Sequence, residues 1–399
     1  MKIILLFCMI FMLNTSTFGQ EPQVIRVDPY YAMGGTAGQI FQEVNYIPLE
    51  TTKESLFGRI NQLLVTKDYY IILDQHTNCV LFFFKNGKYH AKINGGNTGT
   101  KENLLYNITL NPDKEELLVR QPHQISTYSF DGKKLREEKS KSLTWPYFLK
   151  KNRTITASYY PEKTLKDSIK HELQFKEDGK VYLELLPYNQ KTDVLAADSY
   201  YYSPSHPVLN KAATDSTAIY WRPYDYQIHE VSPQGLKTKY KFIFPLAMSL
   251  PENFLNDSSY VGKRVEFLDK NKQIIQGISN FYQMGSNLFF KTPKSNTTDN
   301  AFIYNLKSGK LISITKISPD SSSAYLPIVS PGSEFLNNNF HTRDEQYLYT
   351  SIPSLFIFRS KEATVDKKPV YPPALKTYFE TRNNKDNPVL IQLKPKDQL

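Results

Sequence analysis

Phe-Lys-Asn-Gly-Lys at residues 84–88, Phe-Asp-Gly-Lys at 130–133, Phe-Lys-Glu-Asp-Gly-Lys at 175–180, Ser-Pro-Gln-Gly-Leu at 232–236 and Leu-Lys-Ser-Gly-Lys at 306–310 are five versions of one hairpin. Each sits between two strand-like runs rich in Tyr, Phe, Val and Ile. The Asn-Gly, Asp-Gly and Ser-Gly steps supply the positive φ that a tight antiparallel turn requires. Gly87, Gly132 and Gly179 are spaced by 45 and 47 residues, and the later intervals to Gly235 and Gly309 lengthen to 56 and 74. A strand-and-turn unit repeated at that period predicts the blades of a β-propeller.

Working outward from the hairpins divides the chain into six such units. They cover about 59–93, 108–137, 147–186, 218–244, 278–316 and 347–393. The predicted fold is therefore all-β: one six-bladed propeller of four-stranded antiparallel blades over residues 20–399, with small helical insertions in the last two blades. One insertion falls in the polar excursion 249–272. The other falls at 374–381, where Pro388 forbids continuation of the helix. Residues 355–359 read as a strand of the sixth blade. A ring must also close, or its first and last blades expose open edges. The extended run 24–28 has no partner in the first blade, so it is expected to pair with 389–393.

Residues 1–19 read as a secretory signal: Lys2, an apolar run at 3–13 too short to span a bilayer, and Thr17 and Gly19 as small residues before a cut at Gln20. Phe7 stands where a lipid-modified Cys8 would need a small residue. The mature chain is expected to be exported, periplasmic or at the cell surface, with no membrane span. Cys79 is then the sole cysteine, so no intrachain disulfide forms, and it reads as a buried structural residue. The formal charge of +10 is scattered among Asp and Glu. Nucleic-acid binders cluster their basic residues on one stripe, so no nucleic-acid partner is expected.

A second repeat marks a face. Pro122, Pro161, Pro223, Pro293 and Pro353 each follow the second strand of a blade, and proline ends strands because it cannot donate to the ladder. The loops after second strands, together with those leading into the next blade, share the face opposite the glycine hairpins. The candidate ligand-binding residues there are Arg120, His123, Tyr160, Trp221, Arg222, Tyr224 and Lys291, with His76 nearby. Arg120, Arg222 and Lys291 come from different blades at one height, so they can face one axis and draw in an anion. Trp221 and Tyr224 offer walls for a sugar ring. The plainer reading makes Trp221 a packing residue between blades and Arg222 a solvated strand end.

No catalytic set emerges. The seven histidines are dispersed, no pair has metal-ligand spacing, and no nucleophile elbow or phosphate loop is present. No cofactor and no metal are expected. The glycine-rich stretch 94–99 reads as a turn between blades.

Tyr46-Ile-Pro-Leu-Glu-Thr-Thr52, Gly58-Arg59-Ile60, Tyr70-Ile-Ile-Leu-Asp74 and Asp386-Asn-Pro-Val-Leu390, in this order, resemble the six-bladed, NHL-like propeller family of exported proteins and lipoproteins in Bacteroidota. The resemblance spans nearly the whole mature chain and implies the fold and export, with no enzyme signature. The chain departs from the family at 94–104, which lacks the family's Gly-Pro. The function expected is a non-catalytic exported propeller. Its partner would be a glycan, a small anionic ligand or an envelope protein. The alternative is an exported hydrolase or lyase acting at the channel mouth.

Overall fold

A computed structural model describes residues 21–96, 103–140, 146–157, 171–187, 209–212, 216–222, 224–254, 256–294, 300–330 and 340–399. Six antiparallel sheets form the blades of a propeller. From the innermost strand outward, blade 1 is Gln62–Val65, Tyr69–Asp74, Cys79–Phe84 and Tyr89–Asn94. Blade 2 is Asn107–Asn111, Glu116–Gln121, Gln124–Ser129 and Lys134–Lys139. Blade 3 is Pro146–Leu149, Arg153–Ala157, His171–Glu177 and Lys180–Pro187. Blade 4 is Leu209–Lys211, Ala218–Trp221, Gln227–Ser232 and Gly235–Ile243. Blade 5 is Ser279–Met284, Asn287–Lys291, Ala301–Asn305 and Leu311–Ser318. Blade 6 takes Thr342–Arg343, Leu348–Ile352 and Val389–Pro395 from the C-terminal part of the chain and Phe41–Pro48 from the N-terminal part.

The middle strands of each blade are buried on both faces, because successive side chains point to opposite neighbours. Phe83 packs with Tyr349 and Leu390 of blade 6, whereas Phe82 packs with Leu117 and Val119 of blade 2. Such strands read as continuous apolar runs. The outer strands meet water, and Lys134–Lys139 is exposed along its whole length. Its charges guard a free edge against pairing. Innermost strands are clasped by side-chain amides. Gln62 donates to Ile108 O (2.7 Å) and accepts from Ile108 N (2.9 Å), Asn210 donates to Phe281 O (3.1 Å), and Asn280 donates to Phe340 O (3.0 Å).

All five repeated glycines have positive φ and all five lie on the hairpin between third and outer strands. Gly87 (φ 83°) also answers a second demand: a Cβ there would stand 2.2 Å from Pro48 O. The first hairpin thus docks on the strand that closes the ring, with Glu50 N donating to Gly87 O at 2.8 Å.

The closure differs from the pairing expected between 24–28 and 389–393. The partner of Val389–Pro395 is Phe41–Pro48, with Ile391 opposite Tyr46. Gln23–Arg26 instead lies parallel to Gly235–Ile243, as a fifth strand outside blade 4, and Met33–Thr36 lies parallel to Leu311–Ser318 outside blade 5. Only a longer segment can cover the full edge of Val389–Pro395. The first strap spans four residues and points Ile25 inward, beside Phe242 in the blade 4–5 core.

Residues 355–359 are likewise not a strand. They belong to the helix Ser354–Ala363, which with Pro373–Thr381 fills the long connection between the second and third strands of blade 6. Val389–Pro395 holds the position in the sheet that 355–359 was expected to take. The excursion after blade 4 carries the short helix Arg264–Lys270, in line with expectation.

Candidate ligand-binding face

The second strands of all blades run toward one face of the ring, and the glycine hairpins lie on the other. Arg120 is the penultimate residue of Glu116–Gln121, and Lys291 is the last of Asn287–Lys291. Both are almost wholly buried, at 8% and 5% exposure. Burial alone drives the Lys291 ammonium down to about 8, since water no longer stabilises its charge. His123 lies in the two-residue turn of blade 2 and is exposed, and its carbonyl accepts from Ser140 N at 2.9 Å. Tyr160, Pro161 and Pro223 lie outside the described residues.

Trp221 and Tyr224 are used for packing. Trp221 is buried with Phe281 and Leu288 between blades 4 and 5. Tyr220, one residue earlier, faces blade 3 instead. Tyr224 turns onto the insertion before blade 5, its ring 5.5 Å from that of Phe254. Its φ of 58° and the bond from its N–H to Gln276 O (2.7 Å) bend the chain into that pocket. At 5% and 4% exposure the two rings are not presented as walls for a sugar.

Arg222 is committed across a seam. Its Nε lies 3.1 Å from Oε2 of Glu172, a buried carboxylate of blade 3, whose Oε1 accepts a short hydrogen bond from the Tyr220 hydroxyl. His229 lies beside Tyr220, with ring centroids 6.0 Å apart and the planes tilted by 32°. Burial lowers its pKa first, Asp225 opposes that, and the Arg222 charge adds to it. The densest sequence cluster, 221–224, is therefore a structural joint.

His76 is exposed. The nearby carboxylate of Asp74 is fully buried and accepts from Gly58 N (2.7 Å), His76 N (2.9 Å) and Thr77 Oγ1 (2.7 Å). It holds the connection from blade 6 to blade 1. Cys79 is buried and free, with its thiol pushed up by desolvation, which suits a structural residue.

Two features of the axis are not visible in the sequence. Arg343, on the two-residue innermost strand of blade 6, donates from Nη2 to Ala212 O of blade 4 at 2.6 Å and from Nη1 to Asp344 O at 3.2 Å. Blades 4 and 6 are not neighbours, so the guanidinium crosses the channel near the glycine-hairpin side. Burial lowers its pKa, and Tyr147 and Tyr282 oppose that from blades 3 and 5. The neighbouring carboxylates of Asp344 and Glu345 oppose it as well.

His341 Nε2 lies 2.8 Å from Ser351 Oγ in blade 6. The geometry is that of a nucleophile and its base, but burial holds His341 at about 4. A base that far below neutrality takes a hydroxyl proton poorly, so the pair reads as a cross-strand link. No group of three or more metal-ligating side chains occurs among the described residues. None of their helices is long and apolar enough to cross a membrane.

The matching family profile runs over residues 36–394, from the second strap to the final strand, and is described as a domain of unknown function, DUF4934. The chain belongs to the DUF4934 family. No curated protein matches it. Among solved structures, a protein described as exported, from Bacteroides fragilis, is 16% identical with a TM-score of 0.68, covering 94% of this chain and 100% of that one. A DUF4221 family member from Bacteroides vulgatus is 11% identical with a TM-score of 0.46, covering 89% and 97%. This DUF4934 protein thus has the six-bladed fold and the kinship that its sequence resembles.

The family signature has a structural explanation. Asn387, buried in the closing signature, accepts from Phe57 N (3.1 Å) and donates to Glu50 O (2.9 Å) and Ser55 O (2.9 Å). Its N–H donates to Thr51 Oγ1 at 2.8 Å. The early and closing signatures are the two halves of one lock.

Proposed function

We propose that this DUF4934 propeller is an exported, non-catalytic binding protein that takes an anionic or sugar-acid ligand on the face carrying the second-to-third-strand loops. The observation that carries this reading is Lys291, a cation buried at the end of a second strand with its proton affinity lowered to about 8. Burying a charge is costly and is seldom retained without a use. Arg120 occupies the corresponding place in blade 2. Fields from cations in a concavity are poorly screened and raise the local concentration of anions. With Trp221 and Tyr224 packed away, recognition rests on charge rather than ring stacking.

Calorimetric titration of the purified chain with a uronic-acid oligosaccharide and with inorganic phosphate tests this. Binding of at least one is expected, and it should weaken as pH rises through 8, where Lys291 loses its proton. Lys291→Met and Arg120→Met should each weaken it about tenfold, a loss in the range of a charge-assisted hydrogen bond. The urea midpoint should hold or rise, because an isosteric apolar group replaces a buried charge. Binding that neither substitution alters overturns the assignment.

A further inference from the structure

The parallel strap on blade 4 leaves an unusual edge. Its last pairs are Arg26 with Ile243 and the bond from Val27 N to Ile243 O (2.9 Å). Both chains then leave the sheet at the same end, each entering a short 3-10 turn, Pro29–Tyr31 and Leu246–Met248. Val27, Ala32, Phe244 and Met248 anchor the two turns in one core. Their tips do the opposite. Tyr30, Tyr31 and Leu246 are 74%, 82% and 92% exposed. Large apolar side chains standing this far out of a fold mark an interaction site.

The charge around them is positive. Arg26 and Lys241 are exposed on the two paired strands. Lys316 donates to Ala32 O at 2.9 Å, which places a third cation at the next bend of the strap. Asp28 accepts from Tyr30 N at 3.0 Å and so serves as the cap of its own turn. Tyrosines and a leucine at the tip, ringed by Arg and Lys, match the boundary between anionic headgroups and acyl chains.

We propose that the paired turns Pro29–Tyr31 and Leu246–Met248 dock the propeller on an anionic lipid surface, with Tyr30, Tyr31 and Leu246 at headgroup depth and Arg26 and Lys241 against the phosphates. The docking edge lies at the rim, so the proposal is independent of the ligand assigned to the axial face.

Co-sedimentation of the purified chain with vesicles tests it, using phosphatidylcholine alone and phosphatidylcholine with about one third phosphatidylglycerol. The triple variant Tyr30→Ser, Tyr31→Ser, Leu246→Ser leaves residues 1–20 unchanged, so the binding it loses belongs to this edge. Partition onto anionic vesicles is expected to fall about tenfold in the triple variant and in Arg26→Glu with Lys241→Glu, with unchanged unfolding midpoints. Tyr30→Trp should strengthen it, since indole favours the interface more. Equal partition of wild type onto neutral and anionic vesicles overturns the proposal. So does wild-type partition by both variants. Loss of binding confined to a soluble polyanion such as heparin, with vesicle partition untouched, makes the edge a glycan site and overturns it as well.

Discussion

The N-terminal chain meets three blades in two ways. In blade 6, Phe41–Pro48 is an eight-residue antiparallel strand that completes the sheet, with Tyr46 inserted in the core and its hydroxyl donating to Leu326 O at 3.0 Å. On blades 4 and 5, Gln23–Arg26 and Met33–Thr36 are four-residue parallel strands laid over sheets already complete. The first is part of the ring, whereas the second decorates its rim. The closing strand ties the two ends of the fold together, so its loss opens every blade to its neighbours. A strap covers only an edge, and its exposed residues remain available for contacts outside the fold.

The largest test of this difference is the closing lock. Asn387→Ala removes an acceptor for Phe57 N and a donor for Glu50 O and Ser55 O, all in the seam between blades 6 and 1. Glu50 O keeps the Ser55 hydroxyl at 2.7 Å, so Phe57 N and Ser55 O lose their partner, and each buried backbone group left unpaired costs about 1–3 kcal/mol. Urea unfolding should show a loss of about 4 kcal/mol, independent of pH between 5 and 8 because every partner is neutral. A loss near zero would mean that Phe41–Pro48 holds the ring without its side-chain lock.

The closing blade also carries a pH dependence. Burial holds His341 at about 4, against about 6.5 for an unfolded histidine. The unfolded chain therefore binds a proton that the folded chain refuses. Stability is full above pH 6.5 and falls as pH drops from there toward 4. The shift corresponds to about 3 kcal/mol at the acid end. In His341→Gln, which keeps a polar partner for Ser351, the gap in unfolding free energy between pH 7 and pH 4.5 should shrink by up to about 3 kcal/mol. Equal gaps in variant and wild type would show that another group carries the acid sensitivity.

How far the sequence could be read follows the same division. The glycine hairpins are local chemistry, so the blade count and the hairpin face were legible from Gly87, Gly132 and their successors. The position of Arg120 and Lys291 at second-strand ends followed from Pro122 and Pro293. Pairing between distant segments was not legible. The runs 24–28 and 41–48 both read as extended, and which one closes the ring depends on edge length and on Asn387, more than 300 residues further along the chain. The roles of Trp221 and Tyr224 depend on neighbours that the sequence does not place beside them. In a strand buried on both faces, alternation cannot separate a packing ring from a binding one. Arg343 sits on a strand of two residues with no motif around it, so nothing in the local pattern could assign it to the axis.

The smallest effect belongs to the strap. Lys316 Nζ reaches back to Ala32 O at 2.9 Å and pins the bend that carries the chain from blade 4 to blade 5. The lysine is exposed, so its bond competes with water and contributes little to global unfolding, about 0.5 kcal/mol. Met33–Thr36 is nevertheless held by few other means: Gly35 pairs with Ile317 and Thr36 with Ser318 beyond an irregular register. Lys316→Met should leave the urea midpoint almost unmoved while amide exchange at residues 33–36 accelerates severalfold, because local opening depends on local contacts. The amides of Phe41–Pro48 should exchange as in wild type. If both segments accelerate together, strap and closing strand open as one unit, and the division between rim and ring is lost.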